Sequence, residues 1–205
     1  MKAYYEDVWE RVGEDPEPWA WRWRRGLLLG EARSGERVLD LGCGAGRFVA
    51  ALRDAGADPV GVEIAEAALA RARHNVPDAD LRLAPDGGPL PLEDASIDLA
   101  WCSEVLEHVP DTAGVLSEVR RVLRTGGRLL VTTPSHGPLR RTLIALARFD
   151  AHFDPLGQHV RFYSRASLSG ALGEFAFDDV RVTATGGPPG LRSSLVARAR
   201  KASLV

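Results

Sequence analysis

The chain has 205 residues, of which 45% are hydrophobic, and a formal net charge of −2. That length suits one domain with a single sizeable core, and the charge gives no global attraction to nucleic acid or to an anionic membrane, although a local basic patch is compatible with it. No apolar run approaches the roughly 20 residues that span a bilayer, so we expect no membrane insertion. Cys43 and Cys102 lack a partner cysteine at metal-ligand or redox-motif spacing, which indicates a reduced, cytoplasmic compartment.

Apolar residues predict one N-terminal helix and then an alternation of strands and helices from residue 37 onward. The N-terminal helix includes Leu27–Leu29. The predicted strands are Val38–Leu41, Pro59–Glu63, Leu81–Ala84, Ile97–Cys102, Arg128–Thr133, Asp179–Thr185 and Ser194–Arg198. The helices that follow the first strand are predicted at about 47–55, at about 66–73, from about 115 to the glycine pair 126–127, at about 140–148 and at 164–172. A glycine and proline cluster at 186–190 predicts the turn between the last two strands.

This alternation predicts an α/β fold of the doubly wound, Rossmann-like kind. We expect a seven-stranded, mostly parallel sheet with helices on both faces. Within a single domain, the expected parts are an N-terminal helical lid (1–34), a cofactor-binding core (35–134), an acceptor-side insertion with its helix (135–176) and the final strands (177–205).

The first strand runs into a glycine-rich turn that opens a helix. Its sequence is Val-Leu-Asp-Leu-Gly-Cys-Gly-Ala-Gly, from Val38 to Gly46. Glycines let a ligand approach the backbone, and amides at a helix start favour negative charge. Nicotinamide- and flavin-binding domains use similar loops, so this motif alone does not choose among nucleotide-like cofactors.

Glu63 supports a cofactor that contains a ribose, because this acid ends the second strand 23 residues after Asp40. A carboxylate at that position can accept hydrogen bonds from both ribose hydroxyls of a nucleotide-like cofactor. The alternative is a surface acid at a strand end.

The block from Ile97 to Val109, Ile-Asp-Leu-Ala-Trp-Cys-Ser-Glu-Val-Leu-Glu-His-Val, follows that glycine turn and acid. Together with them it makes the segment Arg37 to Pro134 resemble the catalytic core of class I methyltransferases. The resemblance is to the small-molecule group that includes the ubiquinone-biosynthesis O-methyltransferases. It implies S-adenosylmethionine as the cofactor and a small-molecule methyl acceptor, with nucleic acid disfavoured by the net charge.

The resemblance also implies which residues hold the cofactor. Asp40 and the loop 42–46 would hold its amino-acid end, Glu63 its ribose, and Asp86 with Gly87 its adenine; Leu92 stands where the family has an aromatic residue. The full predicted set is Asp40, Gly42, Cys43, Gly44, Gly46, Glu63, Ile64, Asp86, Gly87 and Ser103. Cys43 and Cys102 are otherwise interpreted as packing thiols, since no activating base accompanies them.

An acid and histidine cluster follows the fourth strand. Glu104, Glu107 and His108 have the spacing i, i+3, i+4, which a helical turn would place on one side. Together with the distant His159, they resemble the Glu-x-x-Glu-His arrangement of metal-dependent small-RNA 2′-O-methyltransferases and of ubiquinone-pathway O-methyltransferases. The resemblance implies a divalent ion, Mg or Mn, on all four residues. The alternatives are that His108 and Glu107 act as catalytic residues without a metal, or that the segment only orders its loop.

Two further groups have competing interpretations. His136 and His152 flank the expected acceptor pocket, whereas His74 is expected at a solvated helix end. Trp19, Trp21 and Trp23 alternate with arginines, and we expect the tryptophans to pack on the core while the arginines are exposed. The alternatives are a platform on which nucleic-acid bases stack and a lid that covers the acceptor.

The function expected from these features is methyl transfer from S-adenosylmethionine to a small molecule, at a hydroxyl oxygen. The alternatives are an N-methyltransferase, an RNA 2′-O-methyltransferase, which the metal-like residues favour and the net charge opposes, and a non-catalytic cofactor-binding partner protein. No oligomeric state is predicted.

Overall fold

A computed structural model describes residues 2–13, 17–154, 157–189 and 191–203 of the chain. The helices are α1 (Lys2–Arg11), α2 (Trp21–Glu31), α3 (Arg47–Asp54), α4 (Glu66–Asn75), α5 (Thr112–Val122), α6 (Pro138–Ala147), α7 (Phe149–His152) and α8 (Arg165–Glu174). The strands are β1 (Arg37–Leu41), β2 (Asp58–Glu63), β3 (Asp80–Leu83), β4 (Ile97–Ser103), β5 (Leu123–Pro134), β6 (Phe177–Thr185) and β7 (Ser194–Lys201). None of the helices described is long and apolar enough to cross a membrane.

The strands form one seven-stranded sheet in the order β3-β2-β1-β4-β5-β7-β6. β1 and β2 pair in parallel, as do β2 and β3, whereas β7 is antiparallel to both β5 and β6. The order reverses direction between β1 and β4, and ligands of doubly wound sheets bind outside the carboxyl ends of the strands at such a reversal. The expected mostly parallel Rossmann-like sheet is therefore confirmed.

The chain divides into two compact units. The first comprises Met1–Trp101 with Arg121–Gly127, and the second comprises Cys102–Arg120 with Arg128–Val205. In the first unit, all residues of β1 and β2 after the first of each strand are buried, because both faces of a parallel strand are covered. In the second unit, α8 is capped by the Ser164 side chain, which accepts a hydrogen bond from the Ser167 amide.

Two predicted boundaries are wrong. The helix expected to reach the glycine pair 126–127 ends at Val122, and β5 begins five residues earlier than expected. The carbonyls of Arg121 and Val122 accept hydrogen bonds from the amides of Ala95 and Ser96, so they do not continue the helix. The helix expected at about 140–148 corresponds to α6, which begins two residues earlier and ends one residue earlier than expected, and the short helix α7 follows it.

The element α1 lies within the N-terminal helical lid expected over residues 1–34, but the sequence did not predict a separate helix there. All its described side chains are partly or fully exposed, so it carries no buried apolar stripe that a sequence pattern could reveal. At the other end of the chain, Gly186 and Gly187 have positive φ in the predicted turn, and Gly190 of that cluster lies outside the described residues.

Gly61 gives a direct test of the packing between β2 and its neighbours. A Cβ added there would lie 2.7 Å from Leu81 Cδ2, 2.9 Å from Cys43 Sγ and 3.0 Å from Val49 Cγ2. We expect Gly61→Ala to lower the free energy of unfolding by about 1–3 kcal/mol, the usual cost of overpacking a core. Urea denaturation measures the difference.

Gly30 in α2 is the matched control, because nothing lies within 4 Å of a Cβ added there. Gly30→Ala should leave stability unchanged or raise it by up to about 1 kcal/mol, since alanine is the better helix former. Equal effects of the two substitutions would contradict the tight packing at Gly61.

Candidate functional site

The glycine turn after β1 has the backbone that the sequence motif predicts. Gly42, Gly44 and Gly46 all have positive φ, at 72°, 53° and 84°. Such values strain residues that carry a side chain, so glycine is favoured at each position. The amides of Gly42 and Cys43 both donate to the Val62 carbonyl, which ties the turn to the end of β2. α3 begins directly after it, with Gly46 as its N-cap.

Asp40 lies on β1, one residue before the strand ends. Its carboxylate is buried, and Oδ2 has no hydrogen-bond partner among the described residues. Burial and, second, the nearby Glu63 raise the pKa of Asp40 to about 7, while Arg24 opposes them. An unpartnered buried carboxylate of this kind is suited to receive a donor from a bound ligand.

Glu63, at the end of β2, connects the second strand to the glycine turn. Its Oε2 accepts from the Gly44 amide at 3.0 Å, and Oε1 accepts from the amides of Ile64 at 2.7 Å and Ala65 at 3.0 Å. Burial raises the pKa of this carboxyl and outweighs the three hydrogen bonds, which lower it. Two carboxylate oxygens offer about four lone-pair sites, so Glu63 retains capacity for ligand hydroxyls.

Arg24 is the residue near Asp40 that sequence reasoning missed. It was expected to be an exposed arginine, but it is 4% exposed, whereas Trp19 of the same cluster is 58% exposed. Its Nε donates to the Trp19 carbonyl at 2.8 Å, and its guanidinium lies 5.5 Å from the centroid of the Phe48 ring. The helical spacing of Arg24 to the buried Leu28, i to i+4, is the signal that could have placed it on the buried face of α2.

The helix α1 lies against the glycine turn and the predicted adenine acid. A Cβ added at Gly44 would lie 2.9 Å from the Trp9 ring, so this indole packs directly on the loop. The Glu6 carboxylate accepts hydrogen bonds from the first amides of α4, and Asp86 Oδ2 accepts from the Lys2 amide at 3.2 Å. Arg71 of α4 donates to the carbonyl of Trp9. These contacts fix α1 on the same unit as Asp40 and Glu63.

The turn after β4 differs from the expected helical geometry. Glu104 has a φ of 54°, in the left-handed region, and a tight turn closed by the His108 amide and the Val105 carbonyl follows it. The expectation that one helical turn carries Glu104, Glu107 and His108 is therefore wrong. A positive φ is strained for a residue with a side chain and is frequent at functional sites.

Hydroxyl groups from the end of β5 hold the two acids of this turn. Thr132 Oγ1 donates to Glu104 Oε1 at 2.9 Å and lies 2.7 Å from Ser103 Oγ, while Thr133 Oγ1 donates to Glu107 Oε2 at 3.0 Å. Glu107 is buried, and its Oε1 has no hydrogen-bond partner in the described part of the chain. Burial and, second, the charge of Glu104 raise the pKa of Glu107 to about 8.

His108 has a defined tautomer in this turn. Its Nδ1 lies 3.0 Å from the Gln158 carbonyl oxygen, which can only accept, so Nδ1 carries the proton and Nε2 is the acceptor nitrogen of the neutral ring. That Nε2 lies 4.0 Å from Glu107 Oε1. Burial lowers the pKa of His108 and keeps the ring neutral near pH 7. The His159 ring lies edge-on to it, with 4.8 Å between centroids.

Three of the four predicted metal ligands come together. Glu107, His108 and His159 each offer a ligand atom, and these atoms all lie within 4.8 Å of one another. Glu104 is not part of that group, and its Oε1 receives the Thr132 hydroxyl.

The remaining histidines divide as follows. His136 is buried and its Nε2 lies 2.9 Å from His152 Nε2, so one ring donates to the other. Burial and, second, His152 lower the pKa of His136 to about 4. His152 and His159 both line a cavity of about 230 Å³ in the second unit. His74 is exposed in the last turn of α4, as expected.

Both cysteines are buried, and they form no disulfide with each other. Burial raises the pKa of Cys43 well above its ordinary value, which disfavours the thiolate.

Gly87, next to Asp86, has a positive φ of 72°. No atom of the described residues lies within 4 Å of a Cβ added there, so a ligand can approach the backbone at this position.

Comparison with known sequences identifies related proteins. Residues 39–131 match the family model described as a methyltransferase domain. The chain is 32% identical over 147 residues to a ubiquinone biosynthesis O-methyltransferase of Pseudomonas aeruginosa, covering 67% of this chain and 62% of that protein. It is 41% identical over 121 residues to a demethylmenaquinone methyltransferase of Beutenbergia cavernae, covering 57% and 50%. The chain thus spans about half to three fifths of the length of these two curated relatives.

A solved structure supports the fold. An S-adenosylmethionine-dependent methyltransferase from Mesorhizobium loti, 24% identical, superposes with a TM-score of 0.68 over 92% of this chain and 100% of that chain. The matched residues 39–131 contain the glycine turn, Asp40, Glu63 and the turn with Glu107 and His108. Through these residues the chain belongs to the class I S-adenosylmethionine-dependent methyltransferases.

Proposed function

We propose that this chain transfers the methyl group of S-adenosylmethionine to a hydroxyl oxygen of a small molecule. The observation that carries the proposal is the orientation of His108: its Nδ1 donates to the Gln158 carbonyl, so Nε2, 4.0 Å from Glu107 Oε1, is the ring nitrogen that can accept a proton from a hydroxyl acceptor. One of the two curated relatives is named as an O-methyltransferase, which agrees with the proposal.

Most of the residues proposed to bind the cofactor belong to the first unit. Asp40 would accept from the ammonium group of the cofactor, because it is a buried carboxylate with an oxygen that no described residue partners. Glu63 would accept from the ribose hydroxyls with its remaining lone pairs, and Asp86 with Gly87 would face the adenine. Ile64 and Ser103 complete the proposed set through their position at the ends of β2 and β4.

The reaction is an in-line displacement at carbon. The acceptor oxygen forms a bond to the methyl carbon as the carbon–sulfur bond breaks, which leaves S-adenosylhomocysteine and a proton to be removed from the oxygen. Correct positioning can supply roughly 7–11 kcal/mol in the best cases. The protein therefore has to position the acceptor and take up that proton.

The proton is the harder part for an aliphatic hydroxyl. Its pKa stands roughly nine units above that of an ordinary histidine, or about 13 kcal/mol for full prior deprotonation. His108 Nε2 therefore takes the proton during transfer rather than before it. Glu107 Oε1 lies 4.0 Å from this nitrogen, so Glu107 in its ionised form would stabilise the imidazolium that results.

In a second form of this proposal, a divalent ion assists the transfer. Its basis is that Glu107, His108 and His159 bring their ligand atoms close together. One carboxylate oxygen and two imidazole nitrogens suit such an ion. When bound, it would lower the pKa of an acceptor hydroxyl directly. The structure supports three ligands rather than the four expected from sequence.

Chelation separates these two forms. If a metal is required, a chelator abolishes turnover and added manganese or magnesium restores it. His159→Ala then lowers turnover as much as His108→Ala does. Calorimetric titration with manganese measures metal binding independently of turnover. With a metal-free base, chelated enzyme keeps full activity, and only His108→Ala lowers turnover, by about 100-fold or more.

An acceptor panel tests the proposed function itself. Labelled S-adenosylmethionine is offered with hydroxylated metabolites, amines and a short RNA. We expect label on the hydroxylated metabolites. Transfer to amines alone would replace the oxygen assignment, transfer to RNA would replace the small-molecule assignment, and cofactor binding without transfer to any class would favour a non-catalytic role.

A further inference from the structure

Thr133, the next-to-last residue of β5, carries a hydroxyl group in a deeply buried part of the strand. It is 0% exposed, and the apolar residues Leu130 and Val131 just before it in the strand are buried as well. Burying a hydroxyl costs free energy unless the group makes a hydrogen bond. Valine has the same branched shape and suits a strand equally well. Packing alone therefore does not require a threonine at this position.

The hydroxyl of Thr133 binds the acid beside the proposed base. Its Oγ1 donates to Glu107 Oε2 at 3.0 Å, and both residues belong to the second unit. The other oxygen of the same carboxyl group, Oε1, lies 4.0 Å from His108 Nε2. The hydrogen bond thus determines which oxygen of Glu107 faces Thr133 and which faces His108.

The carboxyl group of Glu107 has little else to set its plane. The terminal torsion of a glutamate side chain is broad and roughly two-fold, so its own energy does not select one orientation. Across the part of the chain that the structure describes, Oε1 has no hydrogen-bond partner. The orientation of this carboxyl group therefore depends on the hydrogen bond from Thr133.

The backbone of the turn is held by other contacts. The Glu107 carbonyl accepts from two amides of the segment 158–161, at 2.8 Å and 3.0 Å, and His108 Nδ1 donates to a carbonyl of the same segment at 3.0 Å. These bonds do not involve the Thr133 hydroxyl. Removing that hydroxyl should therefore release the carboxyl group while the turn and the His108 ring keep their places.

We propose that Thr133 is a positioning residue for methyl transfer, whose hydroxyl holds Glu107 so that Oε1 faces the ring nitrogen of His108 that takes up the proton. In that orientation an ionised Glu107 stabilises the imidazolium as it forms, whereas a rotated carboxyl group does so less well. Thr133 acts through Glu107. The inference rests on the proposed function, because it assigns Thr133 a part in the proton transfer to His108.

Two substitutions separate this role from a packing role. Thr133→Val removes the hydroxyl and keeps the branched shape, whereas Thr133→Ser keeps the hydroxyl and removes a methyl group. If Thr133 only fills space, serine is the more damaging replacement, because it leaves a cavity. If Thr133 positions Glu107, valine is the more damaging one and serine restores function.

NMR of the histidine ring nitrogens in the full ¹⁵N-labelled chain tests the placement of Glu107 without any acceptor. The signals of His108 are assigned by their loss in His108→Ala. We expect Thr133→Val to shift the Nε2 signal of His108 and Thr133→Ser to leave it in place. Thr183→Val is the matched control, because it makes the same change on β6, where the hydroxyl donates to the Val196 carbonyl at 3.4 Å. It should leave the His108 signals unchanged.

Steady-state kinetics with S-adenosylmethionine and the hydroxylated compound that the acceptor panel identifies test the role itself. Thr133→Val should lower kcat by about tenfold or more, as loss of a residue that orients a functional group does. The KM values of both substrates should stay within about twofold of the wild type, because the affected interaction forms only in the transition state. Thr133→Ser should keep most of kcat.

Three results would overturn the proposal: an unshifted His108 signal in Thr133→Val, an unchanged kcat in that variant, or a larger loss of kcat in Thr133→Ser than in Thr133→Val. A failure of the proposed function is a different result. It would show in the wild type itself, as methylation of no hydroxylated compound, and needs no variant to be seen.

Discussion

Replacing Glu63 with alanine is expected to weaken the binding of S-adenosylmethionine by at least tenfold. The change removes charge-assisted hydrogen bonds to the ribose, each worth roughly 1.5–3 kcal/mol. It also frees the Gly44 amide, which donates to Glu63 Oε2 at 3.0 Å and so holds the glycine turn in place. Both effects act on the same ligand, so the loss should exceed that of an ordinary surface contact.

Calorimetric titration of wild type and variant with S-adenosylmethionine and with S-adenosylhomocysteine measures the loss. Glu66→Ala is the matched control, because it removes a nearby exposed carboxylate whose side chain pairs with Arg73. It should change affinity little. An unchanged affinity in Glu63→Ala would remove this residue from the cofactor site.

Replacing Asp40 with asparagine is expected to stabilise the free protein at alkaline pH while weakening cofactor binding. Burial and the neighbouring Glu63 raise the pKa of Asp40 from 3.8 to about 7, so the folded state holds this proton more tightly than the unfolded state does. The associated stability is fully present below about pH 4 and is lost as the pH rises through 7. A difference of roughly three pKa units corresponds to about 4 kcal/mol.

Asparagine is neutral throughout, so it does not suffer that loss. The free energy of unfolding of Asp40→Asn, relative to wild type, should therefore grow by up to about 4 kcal/mol between pH 4 and pH 8. Urea denaturation across this range measures it, with the exposed Asp54→Asn as control. A pH-independent difference would mean that the wild-type carboxyl ionises normally and that burial does not raise its pKa.

Much of the first unit could be predicted from the sequence because its signals are local. The strand β2 was expected to begin at Pro59 and begins at Asp58, and the glycine turn after β1 has the positive φ values that its glycines indicate. A buried parallel strand shows as a continuous apolar run, and a glycine turn shows as composition, so neither depends on distant contacts.

Other features depend on tertiary contacts and left no local signal. Glu104 adopts a left-handed conformation because its amide donates to the Thr132 carbonyl and its side chain receives the Thr132 hydroxyl, both 28 residues away. The His108 tautomer is fixed by Gln158, which is 50 residues away. Arg24 was misplaced for a different reason: the charge of arginine argued for exposure, while its aliphatic stem and its ring contact with Phe48 permit burial.

The most direct test of the account is a calorimetric titration of the wild-type chain with S-adenosylhomocysteine, S-adenosylmethionine and NADH in turn. Asp40, Glu63 and the glycine turn predict saturable binding of the first two ligands at one site and no binding of NADH. Saturable binding of NADH, with neither S-adenosylmethionine nor its demethylated product bound, would contradict the methyltransferase assignment.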